Sequence, residues 1–112
     1  MQDDTTTISE LKSAMGAFVA ARDWERFHQP KNLAMSIAIE AAELMEHFQW
    51  ETPELGAERK AAIGEEVADV LAYVLSLANV LDLDLAAISA AKMEKNAAKY
   101  PSERERAKKT WS

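Results

Sequence analysis

The 112-residue chain contains no cysteine, only three glycines and only three prolines. Without cysteine, the protein cannot form a disulfide framework or a thiolate metal site, and this absence fits the reducing environment of the cytoplasm. Glycine and proline interrupt regular structure, whereas alanine, which is abundant here, favours helix. This composition therefore predicts an all-α fold.

Basic residues are outnumbered by acidic ones, 13 to 19, and the formal net charge is −6. The largest basic cluster is the C-terminal segment RERAKK, which makes nucleic acid a poor candidate partner. The N-terminus MQDDTTTISE has neither the basic nor the apolar region of a secretory signal, so we expect none. The longest apolar-rich run, VLAYVLSLANVLDLDL, is interrupted by polar residues and too short to span a membrane. We therefore expect no membrane or nucleic-acid partner.

Hydrophobic periodicity divides the chain into four helices, which we place at about 7–21, 31–50, 57–81 and 84–99. Thr7 and Glu10 form a capping box, Pro30 suits the first turn of the second helix, and Asp84 is a candidate N-cap. Short connections predict helix-on-helix packing in a protomer that resembles a four-helix bundle. We expect one domain over 1–112, with flexible ends at 1–6 and 102–112.

Two of these helices each carry a pair of acidic residues three positions apart. With Glu40 set to zero on a helical wheel, Glu43 lies at about 300°, beside an apolar stripe at about 20–100°. With Glu66 set to zero, Asp69 also lies at about 300°, beside a stripe at about 20–140°. If the two helices pack antiparallel through these stripes, the four carboxylates converge at one rim.

A single E-x-x-E pair on a helix is most often a solvated surface, so one pair alone says little. Two pairs at matching wheel positions are more informative, because four adjacent carboxylates repel one another unless a cation lies between them. Oxygen-only ligation favours Mg²⁺, Mn²⁺ or Ca²⁺ over zinc. The pattern therefore predicts a divalent-cation site.

The segments RDWERFHQPKNL, AIEAAELMEHFQW, EEVADVLAY and KMEKNAAKYP together resemble the MazG-like, all-α nucleoside triphosphate pyrophosphohydrolases, in the dCTP pyrophosphatase branch. The resemblance extends from about Ile8 to Pro101. It implies cleavage of a nucleoside triphosphate, dCTP or a modified dCTP, into the monophosphate and pyrophosphate. It also implies that Mg²⁺, with Mn²⁺ as a substitute, is held by four residues that form the catalytic centre: Glu40, Glu43, Glu66 and Asp69.

The resemblance further implies a set of substrate contacts, in which aromatic faces suit a nucleobase and polar side chains reach phosphates: Trp24, His28, Lys31, Trp50, Tyr73, Lys92 and Asn96. On the wheel, Trp50 lies at about 280°, close to Glu43. Core packing or an oligomer interface is the alternative role for the aromatic residues. Close relatives carry a histidine on the first helix, where this chain has Met15, and an aliphatic residue where it has His47.

Other functions remain open at this point. The same scaffold can host hydrolysis of dUTP or of a broad set of triphosphates, and a non-catalytic oligomerisation or nucleotide-sensing module is the rival from another class. Met35 and Ile39 form a second apolar edge on the second helix, at roughly 220–260°. This edge and the family resemblance predict a homo-oligomer, with a tetramer as our first expectation and a dimer as the second.

Overall fold

The computed structural model describes residues 1–50 and 54–104, which hold four α-helices and no strand. The helices are α1 (Ile8–Ala21), α2 (Pro30–Glu46), α3 (Ala57–Leu81) and α4 (Leu85–Lys99), and a short 3₁₀ helix spans Glu25–Phe27. The predicted all-α fold is confirmed. Residues 105–112, most of the predicted flexible C-terminal end, lie outside the described residues.

The chain divides into two compact units, and α4 belongs to the second, which begins at Leu83. In the first unit, residues 2–6 already form a turn in which the Thr6 amide donates to the Gln2 carbonyl oxygen at 2.8 Å. The single domain over 1–112 stays a prediction.

Across the described ranges no helix taken singly has both the length and the apolar character of a membrane span; only α3 and α4 taken together meet those criteria.

Local capping chemistry explains where three of the helices begin. The Thr7 side chain accepts a hydrogen bond from the Glu10 amide at 3.1 Å, and the Asp84 carboxylate accepts one from the Ala87 amide at 3.0 Å. Pro30, which lacks an amide hydrogen, occupies the first turn of α2, where that donor would have no helical acceptor. All three predicted helix starts are confirmed.

The end of α2 corrects the sequence prediction, because the helix stops at Glu46 and not at Trp50. Beyond Glu46 the hydrogen bonds tighten to the i→i−3 pattern, with the His47 amide donating to Leu44 and the Phe48 amide to Met45. Such 3₁₀ turns commonly end α-helices, and aromatic side chains lose rotamer freedom in a helix. The wheel position that placed Trp50 close to Glu43 therefore does not apply.

Helices α2 and α3 pack together, and α1 packs against α3. Leu33 and Ser36, early in α2, share a cavity wall with Tyr73, late in α3, whereas His47, just beyond α2, lies beside Glu66. Positions that advance along α2 thus meet positions that recede along α3, and the two helices are antiparallel, as the acid pattern required.

The buried centre of this unit draws on all three helices: Val19 from α1, Leu33 from α2, and Leu75, Ser76 and Ala78 from α3. One side-chain hydrogen bond also joins α1 to α3, since the Asn79 amide donates to the Lys12 carbonyl oxygen at 2.9 Å. This packing fixes the faces of α2 and α3 that carry the acidic residues.

Candidate metal centre and aromatic cavity

Three carboxylates meet where α2 and α3 cross. Glu40 and Glu43, one turn apart on α2, and Glu66 on α3 each offer an oxygen atom, and these atoms all lie within 4.8 Å of one another. We call these three residues the acid cluster. Asp69, the fourth predicted ligand, lies outside this 4.8 Å group but is close enough for its charge to act on both Glu40 and Glu66.

The crowding of negative charge raises the pKa of two of these groups. A hydrogen bond with Glu43 is the main reason that the pKa of Glu40 lies above its ordinary value of 4.5, with burial and the neighbouring acids adding to the effect. Burial is the main cause of the raised pKa of Glu66, followed by the charge of Glu43. The charge of His47 acts in the opposite direction on Glu66. Negative charge therefore dominates the surroundings of these two carboxylates.

Two carboxylate oxygens in the acid cluster are buried without a hydrogen-bond partner in the described part of the chain. They are Oε2 of Glu40 and Oε2 of Glu66. A buried carboxylate oxygen without a partner is costly, and a divalent cation removes this cost while it offsets the mutual repulsion. Oxygen donors alone suit Mg²⁺ or Mn²⁺, so these residues fit the predicted metal ion.

A cavity beside the acid cluster is lined by two basic side chains, those of His47 and Arg59. His47 Nε2 lies 4.0 Å from Glu66 Oε1, and both side chains are mostly buried, with 19% and 23% of their surface exposed. Arg59, from the first turn of α3, lines the same cavity with Glu43, Glu46 and the His47–Glu66 pair. Sequence reasoning missed Arg59, although it precedes Glu66 by seven residues, which places the two on one helix face two turns apart.

An aromatic cavity lies along α3 from the acid cluster. It has a volume of about 340 Å³, and its wall includes Met15, Trp24, His28, Asp69 and Tyr73. The same three side chains, Trp24, His28 and Tyr73, also line an adjoining cavity with Phe27 and Asn32. The structure thus brings together three of the predicted substrate contacts, and Asp69 joins their cavity to the neighbourhood of the acid cluster.

The closure of α1 places Trp24 in this wall. Asp23 adopts a left-handed conformation with φ 56°, its amide donates to the Ala20 carbonyl, and the Trp24 amide donates to the Val19 carbonyl. These two bonds form a Schellman motif, in which the residue after the left-handed position commonly contacts the helix it has just left. Here the Trp24 ring packs edge-on against Phe18, with 5.8 Å between ring centroids.

Trp50 and Lys31 are not among the residues that line the aromatic cavity. Trp50 follows the end of α2 and is 88% exposed, and Lys31 is exposed in the first turn of α2. Lys92 and Asn96 lie on α4, in the second unit. The roles predicted for these four residues stay predictions.

Comparison with known proteins gives matches over most of the chain. Human dCTP pyrophosphatase 1 is 40% identical over 101 residues, and the match covers 85% of this chain. The rat dCTP pyrophosphatase 1 is 39% identical over the same length. The chain spans 59% of the length of each of these relatives.

A solved structure and a family model agree with these matches. The crystal structure of a pyrophosphatase from Archaeoglobus fulgidus superposes with a TM-score of 0.77 at 41% sequence identity, and it covers 91% of this chain and 99% of its own. The model of the MazG-like family matches residues 35–112, which include both acid pairs. The chain therefore belongs to the MazG-like family.

Proposed function

We propose that this protein hydrolyses a nucleoside triphosphate between its α and β phosphates, releasing the monophosphate and pyrophosphate in a Mg²⁺-dependent reaction. The observation that carries the proposal is the acid cluster of Glu40, Glu43 and Glu66, two of whose buried oxygens have no partner in the described residues. A triphosphate carries about four negative charges near neutral pH, so an acidic site receives it only together with cations. The names of the relatives, dCTP pyrophosphatase 1 and a pyrophosphatase, support the same reaction.

Each part of the site has a role in this proposal. Glu40, Glu43, Glu66 and Asp69 would hold Mg²⁺, which supplies Lewis-acid stabilisation of phosphate charge and a more acidic bound water. A carboxylate from this set can instead act as the general base that accepts a proton from the attacking water. Trp24 and Tyr73 would stack against the base and orient the substrate.

For the base, we propose cytosine, in dCTP or a modified dCTP. The aromatic cavity, at about 340 Å³, has mixed apolar and polar walls that suit one nucleobase. Met15, where the family resemblance implies a histidine, is part of this wall and contributes no hydrogen-bond donor there. We also propose a cytoplasmic role in nucleotide-pool sanitation. Further substrate contacts are proposed for Trp50, Lys31, Lys92 and Asn96.

We also propose that the protein assembles as a homotetramer, with a dimer as the alternative. Met35 and Ile39, on the second apolar edge of α2, are 54% and 56% exposed, and large apolar patches at a surface are typical of interfaces. Light scattering coupled to size-exclusion chromatography measures the mass directly. A monomer at micromolar concentration would overturn this part of the proposal.

The experiment that tests the reaction is pyrophosphate release from a panel of ribo- and deoxyribonucleoside triphosphates, with Mg²⁺ and with EDTA. Glu66→Gln removes one charge from the acid cluster, and Glu65→Gln, at the neighbouring exposed position of α3, is its matched control. We expect strong release that peaks at dCTP or its 5-substituted forms, requires Mg²⁺ and falls by roughly 100-fold or more only in Glu66→Gln. No release from a folded wild-type protein would refute the proposed reaction, and a peak at dUTP would refute only the proposed base.

A further inference from the structure

The cavity on the Arg59 side of the acid cluster has no role in the function proposed so far. It has a volume of about 440 Å³ and is lined by Glu43, Glu46, His47, Arg59 and Glu66. Two cluster carboxylates therefore form part of its wall, and Arg59 adds a permanent positive charge to the same wall. The cavity is thus contiguous with the candidate metal centre but separate from the aromatic cavity.

The guanidinium of Arg59 is available for a ligand. Glu46 lines the same cavity, yet within residues 1–50 and 54–104 neither Glu46 nor any other acid lies within 4.0 Å of the Arg59 side-chain nitrogens. An arginine that served only to offset the acid cluster would be expected to pair with one of its carboxylates, since Arg–carboxylate pairs are strong and bidentate. Its planar fork instead suits two oxygen atoms of a phosphate group.

The order of groups along α3 gives the site a direction. Tyr73 and Arg59 lie seven residues after and seven residues before Glu66, so each Cα is about 10.5 Å from that of Glu66 along the helix axis. The aromatic cavity lies at the Tyr73 end, the acid cluster is in the middle, and Arg59 is at the other end. A nucleoside triphosphate has the same order of parts: a base, the phosphates that bind cations, and a distal phosphate end.

We propose that Arg59 forms a subsite for the β and γ phosphates of the substrate and retains the pyrophosphate group after cleavage. This inference rests on the proposed function, because it assigns the orientation of the substrate in that site. The base occupies the aromatic cavity, the scissile bond lies at the acid cluster, and the leaving group points towards the N-terminus of α3. Cleavage between the α and β phosphates places new negative charge on the leaving group, where a guanidinium stabilises it.

This orientation predicts that Arg59 contributes to the binding of pyrophosphate and not to the binding of the monophosphate. Arg59→Ala should weaken inhibition by Mg²⁺–pyrophosphate about tenfold or more, the loss expected for a charge-assisted hydrogen bond. Binding of dCMP should change less than about twofold, because the monophosphate does not reach Arg59. Arg59→Lys should restore part of the pyrophosphate affinity, since lysine keeps the charge but loses the bidentate geometry.

The test is isothermal titration calorimetry of Mg²⁺–pyrophosphate and of dCMP, together with product-inhibition kinetics, on the full chain. Lys60→Ala is the matched control, because Lys60 is the adjacent exposed cation on α3 and does not line the cavity. We expect the loss of pyrophosphate affinity in Arg59→Ala and wild-type affinity in Lys60→Ala.

Calorimetry separates failure of this inference from failure of the proposed function. A wild type that turns over triphosphates, with equal pyrophosphate affinity in Arg59→Ala, would overturn the subsite. An equal loss of pyrophosphate affinity in Lys60→Ala, or an equal loss of dCMP affinity in Arg59→Ala, would also overturn it. Either result would mean that Arg59 acts only through the overall charge of the protein. A wild type without turnover that still binds Mg²⁺–pyrophosphate through Arg59 would refute the reaction and support the subsite.

Discussion

The rings of Phe18 and Trp24 pack edge-to-face, with centroids 5.8 Å apart and an interplanar angle of 70°. Phe18 belongs to the last turns of α1, and Trp24 is the second residue after the Arg22 C-cap. The contact therefore spans the Schellman closure and joins the end of a helix to the wall of the aromatic cavity. The backbone conformation of Asp23, which lies between Arg22 and Trp24, controls this placement.

Substitutions of Asp23 should change stability according to their tolerance of positive φ. Asp23→Val should lower the free energy of unfolding by about 1–2 kcal/mol, because a β-branched residue is strained at φ 56°. Asp23→Gly should be neutral or stabilising, since glycine adopts this conformation freely. Urea denaturation of the two variants checks the prediction, and equal stability of both would contradict the role assigned to this closure.

Removal of the Trp24 ring should weaken binding of the base. Trp24→Ala should reduce dCMP affinity by roughly 1–3 kcal/mol, the range observed for base stacking on aromatic side chains, whereas Trp24→Phe should keep most of it. Calorimetric titration with dCMP gives the affinities. Unchanged binding in Trp24→Ala would show that the base binds elsewhere.

The hydrogen bond from Asn79 to the Lys12 carbonyl should stabilise the packing of α1 on α3. Asn79→Ala removes the donor and should lower the free energy of unfolding by about 1 kcal/mol, a typical value for one such bond. Asn79→Asp keeps the size but not the donor, so it should be no more stable than the alanine variant. Thermal unfolding of the three proteins measures the difference, and wild-type stability in Asn79→Ala would contradict it.

Metal-free protein should lose stability as pH rises. The pKa values of Glu40 and Glu66 lie above their ordinary value of 4.5 in the folded state, so the folded protein binds more protons than the unfolded one just above pH 4.5. The free energy of unfolding must then fall as pH rises from 4.5 through the raised pKa values of these two residues. Below that window the contribution of both groups is fully present.

Urea denaturation in EDTA across this pH range measures the effect. In the Glu40→Gln/Glu66→Gln variant, the free energy of unfolding should no longer fall as pH rises. In Glu65→Gln it should fall as in the wild type. Addition of Mg²⁺ at neutral pH should stabilise the wild type more than the double variant. Stability that rises with pH equally in wild type and double variant would contradict the repulsion described for the acid cluster.

Much of the fold was predictable because its determinants are local. Thr7, Pro30 and Asp84 begin helices through contacts within their own first turn. The end of α2 was not predictable in this way, because no glycine or proline directly follows Glu46, where the hydrogen bonds change to the i→i−3 pattern. Helical periodicity alone continues the pattern to Trp50.

The acid cluster was visible in the sequence because its spacing repeats on two helices with one geometry. Trp24 and Tyr73 line the same cavity although they are 49 residues apart in the sequence. Their proximity depends on tertiary packing, which hydrophobic periodicity does not predict. Trp24 and Tyr73 were predicted as substrate contacts from the family resemblance and not from helical periodicity. The left-handed conformation of Asp23 was not predicted, because most residues avoid it. Arg59 was also missed, although it lies two helical turns before Glu66 on the same face of α3.

The identity of the products tests the central claim most directly. Phosphorus NMR of a dCTP reaction with Mg²⁺ should show dCMP and pyrophosphate in equal amounts, and no reaction in EDTA or with Glu66→Gln. Formation of dCDP and orthophosphate, or an absence of turnover in the folded wild-type protein, would contradict the assignment of the acid cluster to cleavage between the α and β phosphates.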